Sequence, residues 1–222
     1  MVQGQPKVIR VKFEKTGKLQ YISHLDLLRT MQTALRRAKI DMEYSEGFNP
    51  HMKLTFALPL SIGIESVCEF TDLRVKPSVR PYEVEESLGR NLPPEMKIIK
   101  AYEPESKFTD IKYAKYRTVL DYGTDNEKAV SLANTMFKEK VEILKKTKSG
   151  EKMTDIAPLI KSVEAKNEYG LCVIESVLCA DSANYLNPFL LDTAINERLG
   201  KEYLHRKTVR VGVYTADLKE FV

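Results

Sequence analysis

Cysteine is scarce in this 222-residue chain, and the three present are not arranged for chemistry. Cys68, Cys172 and Cys179 form no CxxC pair and stand in apolar, β-rich surroundings, which fits reduced, buried thiols better than a disulfide framework or a zinc site. None has a histidine within sequence reach, which argues against a cysteine nucleophile. Long apolar runs are also missing. Nothing approaches the roughly 20 residues of a membrane span, and no apolar segment precedes a small-residue cleavage site at the N-terminus. The expectation is a cytoplasmic protein that makes no use of a membrane. There is no Gly-rich, Lys-bearing loop to cradle a nucleotide and no metal-ligand spacing. His24, His51 and Glu69 lack any recognised pattern, so neither a metal nor a cofactor is expected. Nor is there a long polar tract. With 43% hydrophobic and 30% charged residues the chain reads as ordered nearly throughout.

Positive charge is present, but unevenly. Thirty-five Lys and Arg against 31 Asp and Glu give only +4, too little to demand a polyanionic partner. Residues 1–60, however, hold Lys7, Arg10, Lys12, Lys15, Lys18, Arg29, Arg36, Arg37, Lys39 and Lys53 against Glu14, Asp26, Asp41, Glu43 and Glu46. The first quarter is therefore the basic part.

The order of elements points to an α+β fold. "KVIRVKF" at Lys7–Phe13 alternates as a strand. From Ser23 the period becomes helical, with Leu27, Leu28, Met31, Ala34, Leu35 and Ala38 on one stripe, Ser23 as N-cap and Asp26 as its capping-box-like partner. "MKLTFAL" and "SVCEFTDLRV" read as strands joined by a Pro- and Gly-punctuated connection, "RPYEVEESLGRNLPP" as a helix begun by Pro81, and "EMKIIKAYE" as a closing strand. Strand, helix, strand, strand, helix, strand is the ferredoxin-like βαββαβ order. After "PESKFTD" the pattern restarts. "IKYAKYRTVLDY" is a strand, 126–138 a helix, "VEILKKT" a strand, "GLCVIESVLCA" a strand, "LNPFLLDTAINERLG" a helix and "RKTVRVGVYT" a strand. "MTDIAPLIKSVEAK" stays open between one strand and a strand with a short helix, because Pro158 interrupts its alternation. The reading is two ferredoxin-like halves with antiparallel sheets, 1–105 and 106–222, divided near 104–110.

Two stretches hold candidate functional residues. The first helix sets Arg29, Arg36 and Arg37, with Gln32 and Thr33, opposite its apolar stripe. Guanidinium forks suit phosphate oxygens, while the plainer reading is a solvated helix face. His24 stands at the helix start, where free amides and the positive dipole end suit an anion and the ring could act as a base; alternatively it packs on a neighbouring strand. The loop "YSEGFNPH" brings Tyr44, Ser45, Asn49 and His51 as hydrogen-bonding or proton-relaying groups, with Gly47 and Pro50 shaping it, unless it is only a turn. His24 and His51 meet only if this loop folds back over the helix N-terminus. Lys201, His205, Arg206, Lys207 and Arg210 either extend a basic surface or protect an edge strand.

Several of these pieces fall into one recognisable series: "FEKTG" at Phe13–Gly17, "SHLD" at Ser23–Asp26, "RRA" at Arg36–Ala38, "YSEGFNP" at Tyr44–Pro50, "PLSIG" at Pro59–Gly63 and "ESVCE" at Glu65–Glu69. The series resembles the N-terminal block of the radical-SAM-linked bacterial proteins of unknown function, which are encoded beside, or fused to, a radical SAM enzyme. It covers roughly the first third of the chain. The resemblance implies a radical SAM enzyme as partner, which would carry the iron–sulfur cluster since this chain has no CxxxCxxC, and a setting in RNA or ribosome metabolism. The pairing of two ferredoxin-like halves is also similar to that of CRISPR repeat-processing endoribonucleases, an analogy of fold.

Three functions are carried forward. The leading one is a non-catalytic RNA-binding or substrate-presenting accessory of a radical SAM enzyme, using Arg29, Arg36, Arg37, Tyr44, Ser45, Asn49 and His51. The second is a metal-independent endoribonuclease, with His24, His51 and Tyr44 as catalytic candidates. The third is a protein-only adaptor.

Overall fold

Alternating side chains make β1 at Lys7–Lys15, where Ile9, Val11 and Phe13 are buried without exposure on one side of the strand. A computed structural model describes residues 5–147, 150–181 and 183–222 of the chain, with nothing described of the side chains at 145–147. It divides the chain into two compact units, the first running to Phe108 and including Val222, the second Thr109–Phe221.

In the first unit, α1 spans His24–Arg37. The Ser23 hydroxyl accepts the Asp26 backbone N–H at 3.1 Å and donates to the Asp26 carboxylate at 2.7 Å, which stops the helix from fraying at its start. Leu27, Met31, Ala34 and Leu35 are its buried stripe, while Leu28 and Ala38 are only half-buried. Two short-range strands follow, β2 at Leu54–Phe56 and β3 at Ile64–Val75, then α2 at Pro81–Gly89 and β4 at Ile98–Tyr102. β1 pairs with both β3 and β4, and β2 pairs with β3, all antiparallel, so the order is β4-β1-β3-β2. This is the ferredoxin-like arrangement that the element order implies. The core joins Ile9, Val11 and Phe13 of β1 to Met31 and Leu35 of α1, Leu73 and Val75 of β3 and Val84 and Leu88 of α2. Burying each such side chain contributes about 1.5–3 kcal/mol.

Arg10, on the other side of β1, is also buried, at 1% exposure. It is satisfied there by Asp72, whose two carboxylate oxygens accept from Nε at 2.7 Å and Nη2 at 2.9 Å, by the Ser106 hydroxyl at 2.7 Å, and by the Phe108 ring 4.4 Å from its guanidinium carbon. Buried charge is tolerated only with this degree of pairing.

The second unit runs β5 (Tyr113–Asp121), α3 (Asn126–Met136), β6 (Glu142–Thr147), β7 (Gly150–Asp155), β8 (Ile160–Glu168), β9 (Leu171–Cys179), α4 (Phe189–Leu199) and β10 (His205–Tyr214). Its main sheet has the order β10-β5-β9-β8, again with antiparallel pairs. With β8 as second strand this is the same ferredoxin-like order, and β6 and β7 form a separate antiparallel hairpin inserted after α3. The segment the sequence left open thus splits at Pro158: β7 ends at Asp155, a 3-10 turn spans Ala157–Leu159, and β8 begins at Ile160. Proline supplies no N–H to a ladder, so it marks the break between two strands. The α4 boundaries match their punctuation, with Asn187 Oδ1 accepting the Phe189 N–H at 3.1 Å and Gly200 in the left-handed region at φ +67°.

Cys68 and Cys172 are buried, and burial pushes the Cys172 thiol up to about 12. Cys179 departs from the expectation of three buried thiols. It is half-buried on β9, where burial still raises its thiol above the ordinary value.

Candidate nucleic-acid interface

The outward flank of α1 faces an open groove of about 520 Å³ in the first unit. Arg29, Thr30, Thr33 and Arg37 line it from α1, and Arg90 and Asn91 line it from just beyond α2. On α1 the positions 29, 33 and 37 recur at i, i+4 and i+8 and so share one flank. Arg29 bonds Asp26 at 3.4 Å and Arg90 bonds Glu86, but these are exposed pairs of the kind that contributes little and exchanges freely with water or a ligand. Arg37 has no acidic partner among the described residues. Arg37 and Arg90 also stand at the C-terminal ends of their helices, where the backbone dipole favours positive charge. Arg36 is exposed on the outer side of α1 and is not part of the groove. Of the three arginines the sequence grouped, the structure brings two together and replaces the third with Arg90.

The loop after α1 is held as a β-like ear. Glu43 N–H donates to the Arg74 carbonyl at 2.8 Å, Tyr44 bridges Met52, and Lys53 N–H donates to the Glu43 carbonyl at 2.9 Å. Across its neck, Ser45 N–H donates to the His51 carbonyl at 2.9 Å, and the Ser45 hydroxyl accepts the His51 N–H at 3.1 Å. His51 Nδ1 lies 3.0 Å from the same hydroxyl and 3.3 Å from the Asn49 carbonyl. Gly47, at φ +109°, makes the turn that a side chain would strain. At the tip stands Phe48, fully exposed, and Tyr44 is partly exposed below it.

His24 does not join this loop. Its ring packs edge-on against Phe56 of β2, with centroids 5.4 Å apart, which is the strand-packing alternative for that residue. From His51 to Phe56 the chain runs extended, about 16 Å at the usual rise per residue. The two histidines are thus engaged by different partners, His24 by Phe56 and His51 by Ser45 and the Asn49 carbonyl. His205 and its basic neighbours lie on β10 in the second unit, where Arg206 is tied to Asp192 at 2.5 Å and covers the Phe189 ring at 3.6 Å. Among the described residues no group of three or more His, Cys, Asp or Glu side chains is placed to hold a metal ion.

Phe48 and Arg90 are functional candidates that residue pattern alone does not single out. The signal for Phe48 is its setting: a phenylalanine between Gly and Asn-Pro in a polar turn has no strand to pack on. Arg90 is distant in sequence from α1, and only the packing of α2 brings it there.

The fold and surface define an α+β protein of two ferredoxin-like halves with an arginine-lined groove on the first. The chain belongs to the family described as "uncharacterized protein conserved in bacteria (DUF2344)", whose model matches residues 8–188. No curated protein matches it. Among solved structures it is similar to a chain in a crystal structure of a Cbf5-Nop10-Gar1 complex, with 10% identity and a TM-score of 0.50 over 96% of this chain and 50% of that one. The chain thus spans half the length of the one it matches, and the likeness is of fold alone. A protein of unknown function from Galdieria sulphuraria, at 12% identity and a TM-score of 0.28 over 98% of this chain and 100% of that one, superposes too loosely to bear on the fold. No helix among the described residues is long and apolar enough to cross a membrane.

Proposed function

We propose that the protein is an RNA-binding or substrate-presenting accessory of a radical SAM enzyme, gripping RNA phosphates in the Arg29, Arg37 and Arg90 groove. The observation that carries this is the convergence of three exposed guanidinium groups, from α1 and the end of α2, on one groove, with Thr33 and Asn91 as neutral donors between them. Arginine forks bind phosphate in two-point fashion, and hydroxyl and amide groups complete such contacts. The groove is open rather than enclosed by a catalytic constellation, which suits holding a backbone. The radical SAM partner and the setting in RNA or ribosome metabolism follow from the motif series, and the cytoplasmic location from the cysteine usage and apolar patterning of the sequence, not from geometry.

Filter binding at low salt with bulk transfer or ribosomal RNA tests the reading. Wild-type protein retains RNA, and Arg37→Ala combined with Arg90→Ala loses most of that retention. Equal retention by both proteins, or none by the wild type, removes the proposal. Nuclease-treated lysate in which the radical SAM protein still co-purifies with the double variant would instead favour the protein-only adaptor. Cleavage of total RNA without added metal that is lost in both His24→Ala and His51→Ala would favour the endoribonuclease.

A further inference from the structure

From the exposed ring of Phe48 and the cavity beside His51, we infer that the Tyr44–His51 loop reads unpaired nucleotides, stacking one base on Phe48 and admitting another beside His51. This rests on the RNA-binding reading above and names the form of RNA: single-stranded.

Phe48 is more exposed than any other phenylalanine described, and it crowns a loop fixed at its neck by the Ser45 and His51 bonds. A ring left in water forgoes the free energy of burial, and here it is presented on a shaped scaffold rather than on a slack tail. The same loop borders a cavity of about 490 Å³ within the first unit, a volume in the range of small-ligand sites. Met52 and Leu54 give it apolar wall, Thr55 and His51 give it hydrogen-bonding groups, and Lys53 and Arg74 stand at its rim. His51 Nδ1 is occupied by Ser45 and the Asn49 carbonyl, so Nε2 is the ring atom left to meet a ligand.

The charges favour a nucleotide. Asp72 is taken up by the buried Arg10. Glu43 is shared by Lys53 at 3.2 Å and Arg74 at 3.0 Å, so one carboxylate stands against two cations and a positive charge remains for a phosphate. An apolar wall with polar groups and a cationic rim matches a base on its ribose phosphate. Bases in a duplex keep their faces stacked on one another, so only an unpaired strand can offer one to Phe48 and one to the cavity.

Fluorescence anisotropy with a labelled, unstructured RNA oligonucleotide, alone and annealed to its complement, tests this on the full chain. Wild type binds the single strand more tightly than the duplex. Phe48→Ala weakens single-strand binding about tenfold, leaves duplex binding and the thermal midpoint unchanged, and Phe48→Tyr restores the wild-type value. Unchanged single-strand binding by Phe48→Ala, or equal binding of the two RNA forms by wild type, overturns the inference while leaving the phosphate groove standing. Loss of a co-purifying protein partner by Phe48→Ala with RNA binding intact also overturns it, by making the tip a protein contact. No binding of either RNA by wild type removes both this inference and the RNA reading beneath it.

Discussion

The Ser45 side chain meets His51 twice, hydroxyl to ring nitrogen at 3.0 Å and backbone N–H to hydroxyl at 3.1 Å, so one small side chain fixes both the backbone and the imidazole at the loop's neck. Ser45→Ala removes both bonds while leaving the Ser45 N–H to His51 carbonyl bond in place. The expected cost is about 1 kcal/mol of local stability, seen as faster amide exchange at residues 45–51 with the β1 and β3 amides unchanged. Exchange at the wild-type rate would mean that the loop is held by other means.

Arg10 carries a different kind of weight. It is almost fully buried and its charge is answered chiefly by Asp72. Asp72→Ala strands that charge, and the expected destabilisation is about 3–5 kcal/mol in urea unfolding. A shift below about 1 kcal/mol would show that Ser106 and Phe108 suffice.

Asp192 sets a pH dependence in the second unit. Burial raises its carboxyl to about 6, against the pull of Arg206. A carboxyl whose folded value lies above its unfolded value favours the protonated folded state, so this group's contribution is greatest below about pH 4 and is lost as pH rises toward 6. Unfolding free energy, corrected for other groups by comparison with Asp192→Asn, is expected to fall by about 3 kcal/mol over that range. Above about pH 6 the variant is also destabilised because Arg206 loses its counter-charge, whereas below about pH 4, where Asp192 is itself neutral, that loss is absent. A contribution from Asp192 that rises with pH would contradict this placement.

The cysteines give a check on burial. Cys179, half-buried, is expected to react first with a thiol reagent in the native protein, while Cys68 and Cys172 react only on unfolding. Native labelling of Cys172 ahead of Cys179 would place β9 differently.

Much of the fold was legible because it rests on local signals. Ser23 with Asp26, Pro81 at a helix start and Gly200 at a helix end each set a boundary through local geometry, and two βαββαβ orders then implied the ferredoxin-like sheets seen as β4-β1-β3-β2 and β10-β5-β9-β8. The β6–β7 hairpin was less legible, since Pro158 shows that alternation breaks but not what lies on either side. The site was legible only in part. Periodicity assigns Arg29 and Arg37 to a shared flank, but it cannot supply Arg90, which arrives through tertiary packing. Nor can it separate His24 from His51, because their distance depends on β2 running extended between them. Phe48 was hidden by the usual expectation that phenylalanine is buried.

The central claim is that Arg29, Arg37 and Arg90 hold RNA through its phosphates, and the salt dependence of binding tests it most directly. The slope of log affinity against log salt measures released counterions, about 0.7 per phosphate on a single strand and 0.9 on a duplex. Replacing the three arginines with alanine is expected to weaken binding at low salt and to flatten the slope by about 2. A triple variant that keeps the wild-type affinity and slope would contradict the account.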